Sequence, residues 1–98
     1  MSEYGHFYSP GDTVSRYYYF RDKNNQLFDP DTATSKVYDP EKTQVATPTL
    51  TKVSVGKYEF NYTLPGDATK GYWTVVVTAA KGGTQNTEKY TFPVLAVP

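Results

Sequence analysis

Apolar and polar residues alternate with a period of two over much of this chain. The clearest run sets Tyr58, Phe60 and Tyr62 against Glu59 and Asn61. Successive side chains of a strand point to opposite faces, so this run predicts a half-buried strand beginning at Gly56-Lys57. The same period recurs from Tyr72 to Ala80, with Trp73, Val75, Val77 and Ala79 turned inward. From about Thr13 to Arg21 it places Val14, Tyr18 and Phe20 inside and Ser15, Tyr17 and Tyr19 outside. Arg16 falls on the inward parity of that strand, which predicts either a rim position with a snorkelling side chain or a bulge that shifts the register.

Shorter or less regular segments complete the pattern. A first short strand is expected from about Tyr4 to Ser9, and a third from about Ala33 to Tyr38 with Val37 inside. Gln44 to Val55 carries Pro48 and reads as a short edge segment followed by a strand through Leu50 and Val53, because proline lacks the donor a central strand needs. The last strand, about Thr87 to Val97, buries Phe92 and Val94, with Tyr90 on the same face. No segment holds apolar residues at the helical spacing.

Turn residues separate these runs at intervals of about eight to twelve residues, the spacing of a sandwich or barrel. Pro10-Gly11-Asp12, Asp22-Lys23-Asn24-Asn25, Asp39-Pro40-Glu41-Lys42 and Lys81-Gly82-Gly83-Thr84 all have strong turn chemistry. The prediction is an all-β sandwich or barrel of seven to eight strands, with residues 1–98 as one domain.

Composition agrees with that prediction. Ten Tyr, five Phe, ten Val and fourteen Thr outweigh four Leu, six Ala and one Met, and branched or aromatic side chains favour pleated surfaces. Ten acidic and ten basic residues cancel and are scattered, so there is no basic stripe for nucleic acid. The absence of Cys removes disulfides and thiolate metal sites. No apolar run approaches the length of a membrane span, and Met1 to His6 carries no basic and apolar leader pattern.

Gly56 to Pro65, followed by Gly71-Tyr72-Trp73-Thr74-Val75-Val76-Val77-Thr78-Ala79, resembles the late strands of bacterial, phage and macroglobulin-type immunoglobulin-like domains. In those domains a Gly-x-Tyr strand runs into Leu-Pro, a short loop and a Gly-x-Trp-x-Val-x-Val strand. Pro10-Gly11-Asp12-Thr13-Val14 and Val37-Tyr38-Asp39-Pro40 match the same pattern, so the resemblance spans about Pro10 to Val94 and implies an all-β, immunoglobulin-like sandwich of seven to eight antiparallel strands in two sheets. It differs from antibody domains in lacking the cysteine pair and in placing Trp73 on the penultimate strand. Leu64 is expected to plug one end of the sandwich while Pro65 turns the chain to the other sheet. Trp73 then supplies the largest single apolar surface. The expected core is Val14, Tyr18, Phe20, Val37, Tyr58, Phe60, Tyr62, Leu64, Trp73, Val75, Val77, Phe92 and Val94.

Candidate chemistry is sparse. His6 is the single histidine, with no cysteine or second histidine to build a metal or triad site. Asp22 to Gln26 with Asp29-Pro30-Asp31 gathers oxygens that calcium could use, although Asp and Asn are also the preferred turn residues. Asn61-Tyr62-Thr63 has the form of a glycosylation sequon, a triplet that arises often by chance. No phosphate loop, carboxylate pair or nucleophile with a base can be assembled, so a non-enzymatic protein without cofactors is expected. The excess of tyrosine points to surface contact through Tyr17 and Tyr19 on one sheet and Tyr38 and Tyr72 on the other, with ordinary cross-strand packing as the simpler account.

Three roles follow as expectations. The first is a structural or decoration protein of a virion, a bacteriophage capsid, neck or tail, contacting other structural proteins of the assembly. The second is a spacer or adhesin module of a bacterial or archaeal surface protein, located at the cell surface and contacting a ligand there. The third is carbohydrate binding through the exposed tyrosines. None involves nucleic acid or membrane insertion.

Overall fold

A computed structural model describes residues 7–95. His6 and the beginning of the expected first strand, like the end of the expected last one, lie outside them. Seven strands form, and no helix occurs among the described residues. They are β1 (Thr13–Tyr19), β2 (Thr32–Tyr38), β3 (Gln44–Ala46), β4 (Thr51–Ser54), β5 (Lys57–Thr63), β6 (Gly71–Lys81) and β7 (Thr84–Val94). One sheet has the order β1-β5-β4 and the other β3-β2-β6-β7, with every ladder antiparallel. This is the immunoglobulin-like sandwich.

The period-two pattern decides what lies between the sheets. Val14, Tyr18, Phe20, Val37, Phe60, Leu64, Trp73, Val75, Val77, Phe92 and Val94 are all buried, joined by Ala68 and Ala79. Tyr58 and Tyr62 depart from the expectation: both pack on the core from half-buried positions. Each ring covers apolar surface without being fully enclosed, as suits a side chain with a polar tip. Tyr90 is likewise half-buried.

Of the expected first strand, the described part contributes only an isolated parallel bridge between Tyr8 and Val94. Tyr8 N–H donates to the Pro93 carbonyl at 3.0 Å, and Leu95 N–H donates to the Tyr8 carbonyl at 2.9 Å. Three aromatic contacts radiate from Phe92: edge-on with Tyr8 at 5.4 Å, and stacked with Tyr90 at 5.8 Å and with Trp73 at 6.4 Å. Trp73 also donates its indole N–H to the Thr69 carbonyl at 2.8 Å. The largest apolar side chain thus leaves no donor unpaired.

Two connections show turn chemistry directly. Gly82 and Gly83 both have positive φ, 57° and 85°, between the paired residues Lys81 and Thr84. That is the two-residue hairpin whose twist matches its strands. Gly56, at φ 72°, lies so close to Leu27 and Phe28 that an added Cβ would come within 2.8 Å of the Leu27 Cβ and 2.9 Å of the Phe28 nitrogen. Only glycine allows the β4–β5 turn to sit there.

Candidate functional site

The register places the four tyrosines expected to make surface contact on two separate surfaces. Tyr17 pairs with Glu59 and Tyr19 with Lys57 on the outer face of the β1-β5-β4 sheet, and both rings are exposed. Lys57 Nζ stands 4.4 Å from the centroid of Tyr17 and 5.8 Å from that of Tyr19. Further along the same face, Thr13 and Thr63 share a hydroxyl hydrogen bond of 2.8 Å, and Ser15 donates to the Asn61 amide oxygen. These are cross-strand pairs of the sort that stabilise an exposed sheet. Asn61, the first residue of the sequon, is tied into this ladder.

Tyr72 is the most exposed large hydrophobic side chain among the described residues, at 68%, on the outer face of the other sheet. Tyr38 shares that face but is half-buried, and its strand partner there is Thr74. The four tyrosines therefore form two pairs on opposite sides of the sandwich and not a single platform.

Arg16 settles the rim-or-bulge alternative. The β1–β5 ladder runs without interruption from Thr13 to Tyr19, so no bulge occurs. The guanidinium lies 3.8 Å from the Tyr90 ring centroid and 5.7 Å from that of Tyr18. Arg16 itself is exposed, so an apolar stem and a charged head are accommodated together. Tyr18 is buried and its hydroxyl has no hydrogen-bond partner. Burial raises its pKa, and the charge of Arg16 partly opposes the rise. Tyr8 and Tyr62 are also raised, in both cases chiefly by burial.

The oxygen-rich loops bind backbone. Asp22 Oδ1 accepts the N–H groups of Asn24 and Gln26 at 2.8 and 3.0 Å. Asp29 accepts Gly56 N–H at 2.9 Å and pairs with Lys52 at 2.7 Å. The hydrogen bond from Lys52 is the main reason the Asp29 carboxyl titrates below its ordinary range, and the Lys52 ammonium is raised correspondingly. Asp31 accepts Gly82 N–H at 3.1 Å. No group of three or more His, Cys, Asp or Glu side chains among the described residues could hold a metal ion. Asp22 closes its own turn, while Asp29 and Asp31 fasten their loop to β4, the β4–β5 turn and the β6–β7 hairpin.

A cleft of about 650 Å³ opens at that same end. It is lined by Arg21, Lys23, Phe28, Ala79, Lys81 and Asn86, with Asp22 and Thr84 at its sides. The strand alternation gave no hint of it, since half of its wall is loop.

The MG2 domain family matches residues 6–94. The chain belongs to the MG2 domain family. This places it among the macroglobulin-type immunoglobulin-like domains. The MG2 domain also resembles a solved structure described as the crystal structure of the Lin-41 filamin domain, with a TM-score of 0.67 and 17% identity. That match covers 98% of this chain and 89% of the other, and it supports the shared fold alone. No curated protein matches the chain.

Proposed function

We propose that this MG2 domain is a non-catalytic contact and spacer module of a bacterial or archaeal multidomain surface protein. The parallel pairing of Tyr8 with Val94 carries the proposal. The first and last described segments run side by side in one direction, as suits a chain that passes through a module and continues. Tension between those segments would load the Tyr8–Pro93 and Leu95–Tyr8 hydrogen bonds together rather than one after another. Family membership and the backbone-committed acidic side chains are consistent with a module that transmits contact and does no chemistry.

The virion role draws no support from the comparisons. The tyrosine platform for carbohydrate is disfavoured by the division of its members between two faces. Antibodies raised against the folded domain provide the test. Labelling of intact producing cells is the expected result. Labelling confined to purified virions, or appearing only after cells are permeabilised, would overturn the assignment.

A further inference from the structure

The inner face of a sandwich is apolar where the opposite sheet covers it. On β7 this rule ends early: Glu88, Asn86 and Thr84 share the inward parity of Phe92, opposite Val77, Ala79 and Lys81 of β6. The cause is an overhang. β6 and β7 are eleven residues long, whereas β1 has seven and stops at Tyr19. Beyond that point the hairpin faces the loop from Arg21 to Phe28, which is fixed by the Arg21–Leu27 bridge and by Phe28 N–H donating to the Phe20 carbonyl at 3.0 Å. The space between hairpin and loop is the cleft of about 650 Å³, a size typical of small-ligand sites.

Its chemistry is specific. Three cations, Arg21, Lys23 and Lys81, face one carboxylate, Asp22, whose Oδ1 is occupied by two backbone N–H groups. None of the three makes an ion pair with a described residue. Arg21 donates to the Asn25 carbonyl at 3.1 Å, and Lys81 Nζ donates to the Asp29 carbonyl at 3.4 Å and lies 5.6 Å from the Phe28 centroid. Phe28 and Ala79 add apolar lining, and Thr84 and Asn86 add a hydroxyl and a carboxamide. Three cations against one carboxylate that is already engaged give the cleft a positive lining, which suits an anionic ligand.

We propose that this cleft binds an acidic glycan. The C–H face of a pyranose ring rests on Phe28, its carboxylate meets Lys81 and Arg21, and its hydroxyls bond Thr84 and Asn86. The site goes beyond the spacer assignment and does not depend on it. It lies at the opposite end of β7 from Val94, about 33 Å along the strand, and is separate from all four contact tyrosines.

Titration of the full chain with a tetramer of galacturonic acid, followed by amide NMR, tests the site. The expected result is saturable shifts at Phe28, Ala79, Lys81 and Asn86, with a dissociation constant of about 1 mM or tighter. The methyl-esterified tetramer should bind at least about tenfold more weakly. Lys81→Gln and Arg21→Gln replace exposed side chains and should each weaken binding about fivefold to tenfold with the rest of the spectrum unchanged, while Lys57→Gln should not. Four results would overturn the proposal: equal binding of the ester, equal binding of a hexaglutamate peptide, shifts centred on Tyr17 or Tyr72, or no shift at about 10 mM.

Discussion

The Arg16 guanidinium lies 3.8 Å from the centre of the Tyr90 ring, joining β1 of one sheet to β7 of the other. β1 and β7 are each the last strand of their sheets, so the contact crosses the mouth of the sandwich. An inward-pointing charge also discourages pairing of another chain with such an edge. Arg16→Ala is expected to lower stability by about 1–2 kcal/mol through loss of the cation–π contact and the covering stem. Arg16→Lys should recover only part of it, because an ammonium does not stack. Urea unfolding of the two variants measures this, and identical midpoints for Arg16→Ala and the parent would refute it.

Trp73 combines full burial, stacking on Phe92 and a hydrogen bond to Thr69. Trp73→Ala should cost about 3–5 kcal/mol, the range for large-to-small changes of aromatic residues in a core. That is a large fraction of the stability of a domain this size. A loss below about 1 kcal/mol in calorimetry would contradict the packing described.

Two glycines with positive φ should respond differently to alanine. At Gly56 the added methyl meets the Leu27 side chain and the Phe28 backbone in addition to an unfavourable φ, so Gly56→Ala should cost about 2–3 kcal/mol. Gly82 has open space around it, and Gly82→Ala should cost only the backbone term, about 1–2 kcal/mol. Thermal melts of the pair distinguish crowding from conformation.

Stability should fall in alkali. Tyr18, Tyr8 and Tyr62 all have folded-state pKa values above the ordinary tyrosine value, with burial the largest cause. A raised folded pKa means the native state retains protons that the unfolded chain has released. The contribution is therefore complete below about pH 10 and is lost as pH rises through the folded values. Tyr18→Phe, which also removes a buried hydroxyl without a partner, should flatten that decline. Unfolding curves collected across the alkaline range provide the check.

The opposite sign applies to Asp29, whose folded pKa is lowered, first by Lys52 and then by Gly56 N–H. Its contribution is present above the unfolded carboxylate value, about pH 4, and disappears as pH falls through the lower folded value. Asp29→Asn should shift the acid transition slightly toward neutral pH, a small effect since the Lys52 pair is largely solvent-screened.

Eleven of the thirteen expected core residues are buried, because a period of two leaves each strand only one face to bury. Tyr58 and Tyr62 escaped that logic because alternation gives direction but not depth. Tyr17 and Tyr19 could be placed outward from the sequence. Their engagement by Lys57 could not, since it depends on which strand lies alongside.

From its own order of residues the chain determined an all-β sandwich, its turns and the side of each strand that faces in, since these follow from local geometry and the need to bury apolar area. Only the tertiary structure decided that Arg16 would bridge to Tyr90, that Asp29 and Asp31 would hold loops in place, and that a cationic cleft would open beneath the overhanging hairpin. Each of these joins residues far apart in the chain, and their distances are set by sheet packing and strand length, which a local pattern does not encode.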